Sequence, residues 1–105
     1  MFTLAYRDEL LVGYTLHHTL PQPSIIEIDH FAVDPQCQRQ GIGKTLLSAI
    51  IKNNPGIKII ILYTRIVNTS ARGFYKHLGF YEIEHIEDVK FNPFYSVLLR
   101  KDISM

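Results

Sequence analysis

The sequence predicts an α/β (α+β) fold: a mixed sheet with helices packed against it. Three observations carry this reading. Extended segments rich in β-branched and aromatic residues recur at both ends of the chain. From Gly41 the apolar residues change to a helical period, directly after a strand that Asp34-Pro35 closes. Ile57 to Tyr63 is then almost uniformly apolar, as in a strand covered on both faces. The order reads ββ–β–α–β–α–ββ.

Each element has a local cause. Phe2 to Arg7 reads as a strand, Asp8-Glu9 as a hairpin turn, and Leu11 to His17 as the returning strand. Pro21-Gln22-Pro23 marks a loop before the strand Ile25 to Val33, and Pro35 cannot donate to a ladder. Ile42, Leu46, Leu47, Ile50 and Ile51 line one face of a helix, with Lys44, Ser48 and Lys52 on the other, and Asn53-Asn54-Pro55-Gly56 stops it. Asn68-Thr69-Ser70 offers N-cap side chains for a second, short helix to about Leu78, with Ala71, Phe74, Tyr75 and Leu78 as its apolar stripe. Gly79 suits the position just past that helix. Phe80 to Ile86 and Tyr95 to Arg100 complete the strands, separated by Asn92-Pro93.

Size and composition bound the function. The 105 residues fit one domain, 1–105, with 47% hydrophobic and 20% charged residues, the balance of an ordinary globular chain. A net charge of +1 gives no reason to expect nucleic acid as a partner. Cys37 stands alone, which excludes an intramolecular disulfide and a cysteine-cluster metal site. Arg7, Asp8 and Glu9 interrupt any apolar signal core, and Ile59 to Tyr63 is too short to cross a bilayer. The expectation is a cytoplasmic chain with no membrane partner.

The segment from Ile28 to Leu47 carries the chemistry. An extended strand enters a glycine turn that opens onto a helix, so several N–H groups and the positive end of the helix dipole converge on one spot. That is a receptacle for phosphate. Gly41 and Gly43 lack Cβ atoms, so backbone can approach phosphate oxygens, with amides from Arg39 through Lys44 as donors. Gly43-Lys44-Thr45 suggests a nucleoside-triphosphate loop, but that motif needs a glycine where Gln38 stands. A dinucleotide fingerprint needs three glycines, and only two are present.

Gln38-Arg39-Gln40-Gly41-Ile42-Gly43 resembles the Gln/Arg-x-x-Gly-x-Gly/Ala signature of the GCN5-related N-acetyltransferases, the GNAT family. Phe31-Ala32-Val33-Asp34-Pro35 is similar to the end of that family's central strand. Asn68-Thr69-Ser70-Ala71 and Phe74-Tyr75-Lys76-His77-Leu78-Gly79-Phe80 resemble its second motif. The resemblance covers Phe2 to about Arg100. It implies the acyl-CoA N-acyltransferase fold, a mostly antiparallel sheet in which the strand ending at Val33 splays from the next one. It also implies acetyl-CoA as co-substrate, its pyrophosphate on Gln38, Arg39, Gln40, Gly41, Ile42, Gly43 and Lys44. The pantetheine arm would pair with Phe31, Ala32 and Val33 like an added strand, and Asn68 and Ala71 would meet the coenzyme from the second motif. The family usually begins with a strand and two helices that help form the acceptor pocket. Relative to that pattern the sequence reads as a short version, with an open acceptor site, a homodimer partner or a non-catalytic CoA-binding domain as the consequences.

Transfer of an acetyl group to an amine sets the remaining demands. A lysine-like ammonium is deprotonated in only roughly one molecule in two thousand at neutral pH, so a base must take its proton, and the departing thiolate needs an acid. The resemblance assigns the acid to Tyr75, which by itself reads as a core aromatic. It assigns the base to Glu27, which reads equally as a solvated strand carboxylate, with Asp29 and His30 as runners-up. Arg72 and Lys76 face outward, as a solvated basic face or as partners of the adenosine 3′-phosphate. His17, His18, His77 and His85 show no metal-ligand spacing with acidic partners, and no metal is assigned. The acceptor is an amine-bearing small molecule or protein.

Overall fold

The computed structural model describes residues 1–21, 24–38, 40–83 and 96–103. Arg39, His85, the predicted loop residues Gln22 and Pro23, and the predicted strand ends Glu84 to Ile86 and Tyr95 lie outside them, as does Asn92-Pro93. The elements follow the predicted order: β1 (Phe2–Arg7), β2 (Leu10–Thr19), β3 (Ile25–Val33), α1 (Ile42–Asn53), β4 (Ile59–Arg65), α2 (Thr69–His77), β5 (Tyr81–Ile83) and β6 (Ser96–Asp102). A short 3-10 turn, Pro35–Cys37, links β3 to α1, with Asp34 Oδ1 accepting from the Gln36 amide at 2.9 Å. Asp8 and Glu9 both take positive φ, +51° and +70°, as a two-residue hairpin turn demands.

The strands form one sheet in the order β1-β2-β3-β4-β6-β5. Every neighbouring pair is antiparallel except β3 and β4. That parallel ladder covers only Ile25↔Ile59 to Ile28↔Leu62, although β3 runs on to Val33 and β4 to Arg65. Beyond Ile28 and Leu62 the two strands part, leaving the facing edges of residues 29–33 and 63–65 without each other as partners. This is the splay that the resemblance implies.

Both helices pack on one face. Ile26, Ile28, Ile60, Leu62 and Leu99 of the sheet join Leu47 and Ile50 of α1, with Leu78 and Phe80 closing the cluster behind α2. The other face carries a smaller cluster of Ile25, Ile61 and Leu98, with Tyr63 and Ile83 packed against it. A bulge in the β2–β3 ladder, where Leu16↔His30 is followed by His17↔Ile28, makes Asp29 the extra residue on β3. It reverses the alternation of the strand: Glu27 shares the second face with its partner Ile61, whereas Phe31 lies on the helix face.

Several boundaries differ from the expectation, with β4 running on to Arg65 and β6 to Asp102. β4 begins at Ile59 rather than Ile57, because Ile57 closes a turn onto the Asn54 carbonyl and is buried there. β2 is longer at its far end, reaching Thr19 opposite Ile26.

Candidate functional site

The helix mouth comes first. Gly41 is the N-cap of α1 at φ +80°, ψ +10°, and it supplies no capping side chain. The first intrahelical donors to find a partner are the Thr45 amide, 3.0 Å from the Gly41 carbonyl, and the Thr45 hydroxyl at the same distance. Among the described residues the amides of Ile42, Gly43 and Lys44 find no partner, as the first turn of a helix leaves them. No acidic side chain occupies that turn. An anion would complete it, in line with the helix dipole.

The two glycines divide the work differently from the expectation. At Gly41 the left-handed backbone is what requires glycine, and nothing lies within 4 Å of a Cβ built there. Gly43 is buried, and its missing Cβ faces α2: the atom would stand 3.0 Å from Phe74 Cζ and 3.3 Å from Leu78 Cδ1. The missing Cβ of Gly43 permits the close approach of the two helices.

Between α1 and α2 opens a cleft of about 560 Å³. It brings together Val33, Gln38, Gly41, Ile42, Gly43 and Lys44 from the candidate residues, and adds Cys37, Ser70, Gly73, Phe74, His77 and Leu78. Sequence reasoning missed the α2 contributors. Gly73 was the available signal: a glycine inside a helix costs about 1 kcal/mol relative to alanine, and here nothing lies within 4 Å of its absent Cβ. It leaves room in the wall of the cleft.

Phe31, Ala32, Gln40, Asn68, Ala71 and Tyr75 do not line that cleft. Phe31 and Ala32 lie on the part of β3 that has parted from β4. Asn68 is a helix cap, its Oδ1 accepting from the Ala71 amide at 3.1 Å, so that oxygen is committed to α2. Arg72 corrects another expectation, for it is no solvated cation. Its guanidinium pairs both nitrogens with Glu82, Nε to Oε1 at 2.7 Å and Nη2 to Oε2 at 3.0 Å, and also donates to the Ile66 carbonyl at 2.8 Å. This fork holds α2 against β5 and draws the Glu82 carboxyl below its ordinary range. Lys76 Nζ stands 3.5 Å from the same carboxylate. Gly79, at φ +97°, ends α2 as predicted, and Lys101 Nζ donates to the Leu78 carbonyl there at 2.9 Å.

Tyr75 projects from α2 toward the sheet. Its ring meets Phe31 at a centroid distance of 5.8 Å, Phe74 at 5.4 Å and Phe80 at 5.9 Å, all edge-on. Burial pushes its phenol up from the ordinary tyrosine range, so the hydroxyl stays protonated at neutral pH.

Glu27 stands on the opposite face, paired with Ile61 one position before the strands part. Its side chain is 22% exposed. Burial pushes its carboxyl up; the His18 ring pulls it back and the Asp29 carboxyl adds to the rise. The Glu27 charge in turn raises Tyr63, which burial has already lifted. His18, facing Glu27 across the β2–β3 ladder, also departs from the expectation: register gives it the acidic partners that spacing does not. His18, Glu27 and Asp29 offer one donor atom each within 4.8 Å of one another. A His18–Asp29 hydrogen bond accounts for part of that grouping, and it is not by itself a metal site. Asp29 and His30 are both exposed.

This geometry matches known proteins. The profile of the acetyltransferase (GNAT) family covers residues 1–80. The chain belongs to that family. It is 37% identical over 73 residues to a mycothiol acetyltransferase of Arthrobacter sp. (strain FB24), a match spanning 68% of this chain and 22% of that protein. The chain spans about a fifth of the length of the curated relatives it matches. Among solved structures, a GNAT-family acetyltransferase from Staphylococcus aureus Mu50 superposes with a TM-score of 0.80 at 26% identity, covering 98% of this chain and 67% of that one. The PaiA N-acetyltransferase from Thermoplasma acidophilum, solved in complex with coenzyme A, gives 0.76 at 23% identity, covering 98% and 60%. The GNAT architecture is thus the fold of this chain, and Val33 at the end of β3 reaches the cleft at the α1 mouth. Among the described residues no helix is long and apolar enough to cross a membrane.

Proposed function

We propose that the chain is an acetyl-CoA-dependent N-acetyltransferase, acting in the cytoplasm and moving the acetyl group directly to a primary amine in a ternary complex. The observation that carries this reading is the gap beyond Ile28 and Leu62, with Tyr75 on the helix side and Glu27 on the other. The orphan amides of Ile42, Gly43 and Lys44 hold the coenzyme's diphosphate, and the unpaired edge of Phe31 to Val33 takes the pantetheine arm. The open space at Gly73, in the wall of the cleft, leaves room beside the coenzyme.

Glu27 takes a proton from the acceptor ammonium, and its raised carboxyl makes it a better base than an exposed glutamate. The freed amine attacks the thioester carbonyl from the Glu27 face. Tyr75 gives its proton to the departing thiolate from the helix face, and its phenolate recovers the proton that the amine nitrogen sheds as the tetrahedral intermediate collapses. The similarity to a mycothiol acetyltransferase and to an N-acetyltransferase solved with coenzyme A supports acetyl transfer to an amine. The test is release of free thiol from acetyl-CoA over a panel of amines and amine-bearing peptides. Release that depends on the amine supports the reading. Saturable acetyl-CoA binding with no release from any amine would leave a coenzyme-binding domain instead.

A further inference from the structure

His18 and Glu27 are direct partners across the β2–β3 ladder. The His18 ring touches two carboxylates through its two different nitrogens: Nδ1 lies 2.7 Å from Asp29 Oδ2, and Nε2 lies 4.0 Å from Glu27 Oε1. Exposure rises outward through the three groups, 22% at Glu27, 33% at Asp29 and 49% at His18. As the extra residue of the bulge, Asp29 has no partner on β2 of its own. In the tautomer whose Nδ1–H donates to Asp29, the Nε2 lone pair is turned to Glu27.

Resting on the acetyl-transfer reading, we propose that His18 is a proton-relay and positioning residue that unloads Glu27 to solvent between turnovers. The steps balance. An N–H bond of the acceptor ammonium breaks as a Glu27 O–H bond forms. That O–H then breaks as the His18 Nε2–H bond forms, and the half-exposed imidazolium passes its proton to water. A small rotation of the Glu27 side chain closes the 4.0 Å separation to hydrogen-bond length. The Asp29 side chain, 2.7 Å from Nδ1, stabilises the transient imidazolium. The other titratable neighbours are His17, whose ring turns into the core, and Tyr63 on β4, which faces Glu27.

His18→Gln keeps a donor for Asp29 but cannot carry a proton. With the chain acetylating an amine, H18Q lowers kcat about tenfold or more, leaves the KM for acetyl-CoA unchanged, and regains turnover with added imidazole. Asp29→Asn gives a smaller loss through the same term. A kcat within about twofold of wild type, or a loss that imidazole does not repair, overturns the relay and leaves acetyl transfer standing. A wild-type chain that acetylates no amine overturns both. Carboxyl NMR gives a readout independent of turnover: the Glu27 titration midpoint moves up in H18Q, which has lost the neighbouring cation, and an unmoved midpoint overturns the coupling.

Discussion

Glu27 and Tyr75 stand on opposite faces of the six-stranded sheet, Glu27 one pair before the gap that opens past Ile28–Leu62 and Tyr75 against Phe31 beyond it. Under the proposed mechanism this keeps the base and the acid apart, so that a proton removed on one face is not returned to the amine from the other.

Tyr75→Phe removes one hydroxyl and keeps the edge-on packing with Phe31, Phe74 and Phe80. Acetyl-CoA affinity is expected to hold while kcat falls about tenfold or more. Calorimetric titration beside steady-state kinetics checks the pair, and an unchanged kcat removes Tyr75 from the mechanism.

Glu27→Gln separates activity from stability. Because the folded chain holds the Glu27 proton more tightly than the unfolded chain, its ionisation weakens the fold as pH rises through the carboxylate range. The variant is therefore expected to lose turnover yet melt slightly higher than wild type at pH 7, with the difference vanishing in acid. Melting curves at pH 4 and pH 7 measure it.

Gly43 and Gly73 respond oppositely to alanine. Gly73→Ala adds a methyl group in open space and is expected to stabilise α2 by about 1 kcal/mol. Gly43→Ala drives its methyl into Phe74 and Leu78, which overpacks the helix contact by about 1–3 kcal/mol. Gly73→Leu should fill the cleft and weaken acetyl-CoA binding without unfolding the chain. Denaturant titration and calorimetry distinguish the three.

His17 is 3% exposed, and its Nδ1 has no partner among the described residues. Burial, then the terminal ammonium, lowers its titration, with Asp29 opposing and His18 adding. The unfolded chain thus binds a proton that the folded chain refuses, so stability falls as pH drops below about 6.5. His17→Leu is expected to flatten that acid limb in melting curves between pH 5 and pH 8.

Much of this was legible in the sequence because local chemistry decided it. Period and proline set β3 from Ile25 to Val33, Asn68 caps α2, and Gly79 ends it. The start of β4 was misjudged because an apolar run reports burial, and Ile57 is buried in a turn rather than a ladder. The Asp29 bulge has no sequence signal, and with it the face occupied by Phe31 was hidden. Gly43 carries the same letter as Gly41, yet only the packing of α2 reveals its purpose. The His18–Glu27 pair and the Arg72–Glu82 fork arise from register and helix docking, which spacing along the chain does not encode.

The account turns on whether the mouth of α1 grips the coenzyme. Amide resonances followed while coenzyme A is titrated into the folded chain test this directly. The amides of Ile42, Gly43 and Lys44 should shift furthest and saturate together with those of Gly73 and Val33. Saturable binding that leaves those three amides unmoved, or no binding at all, would contradict it.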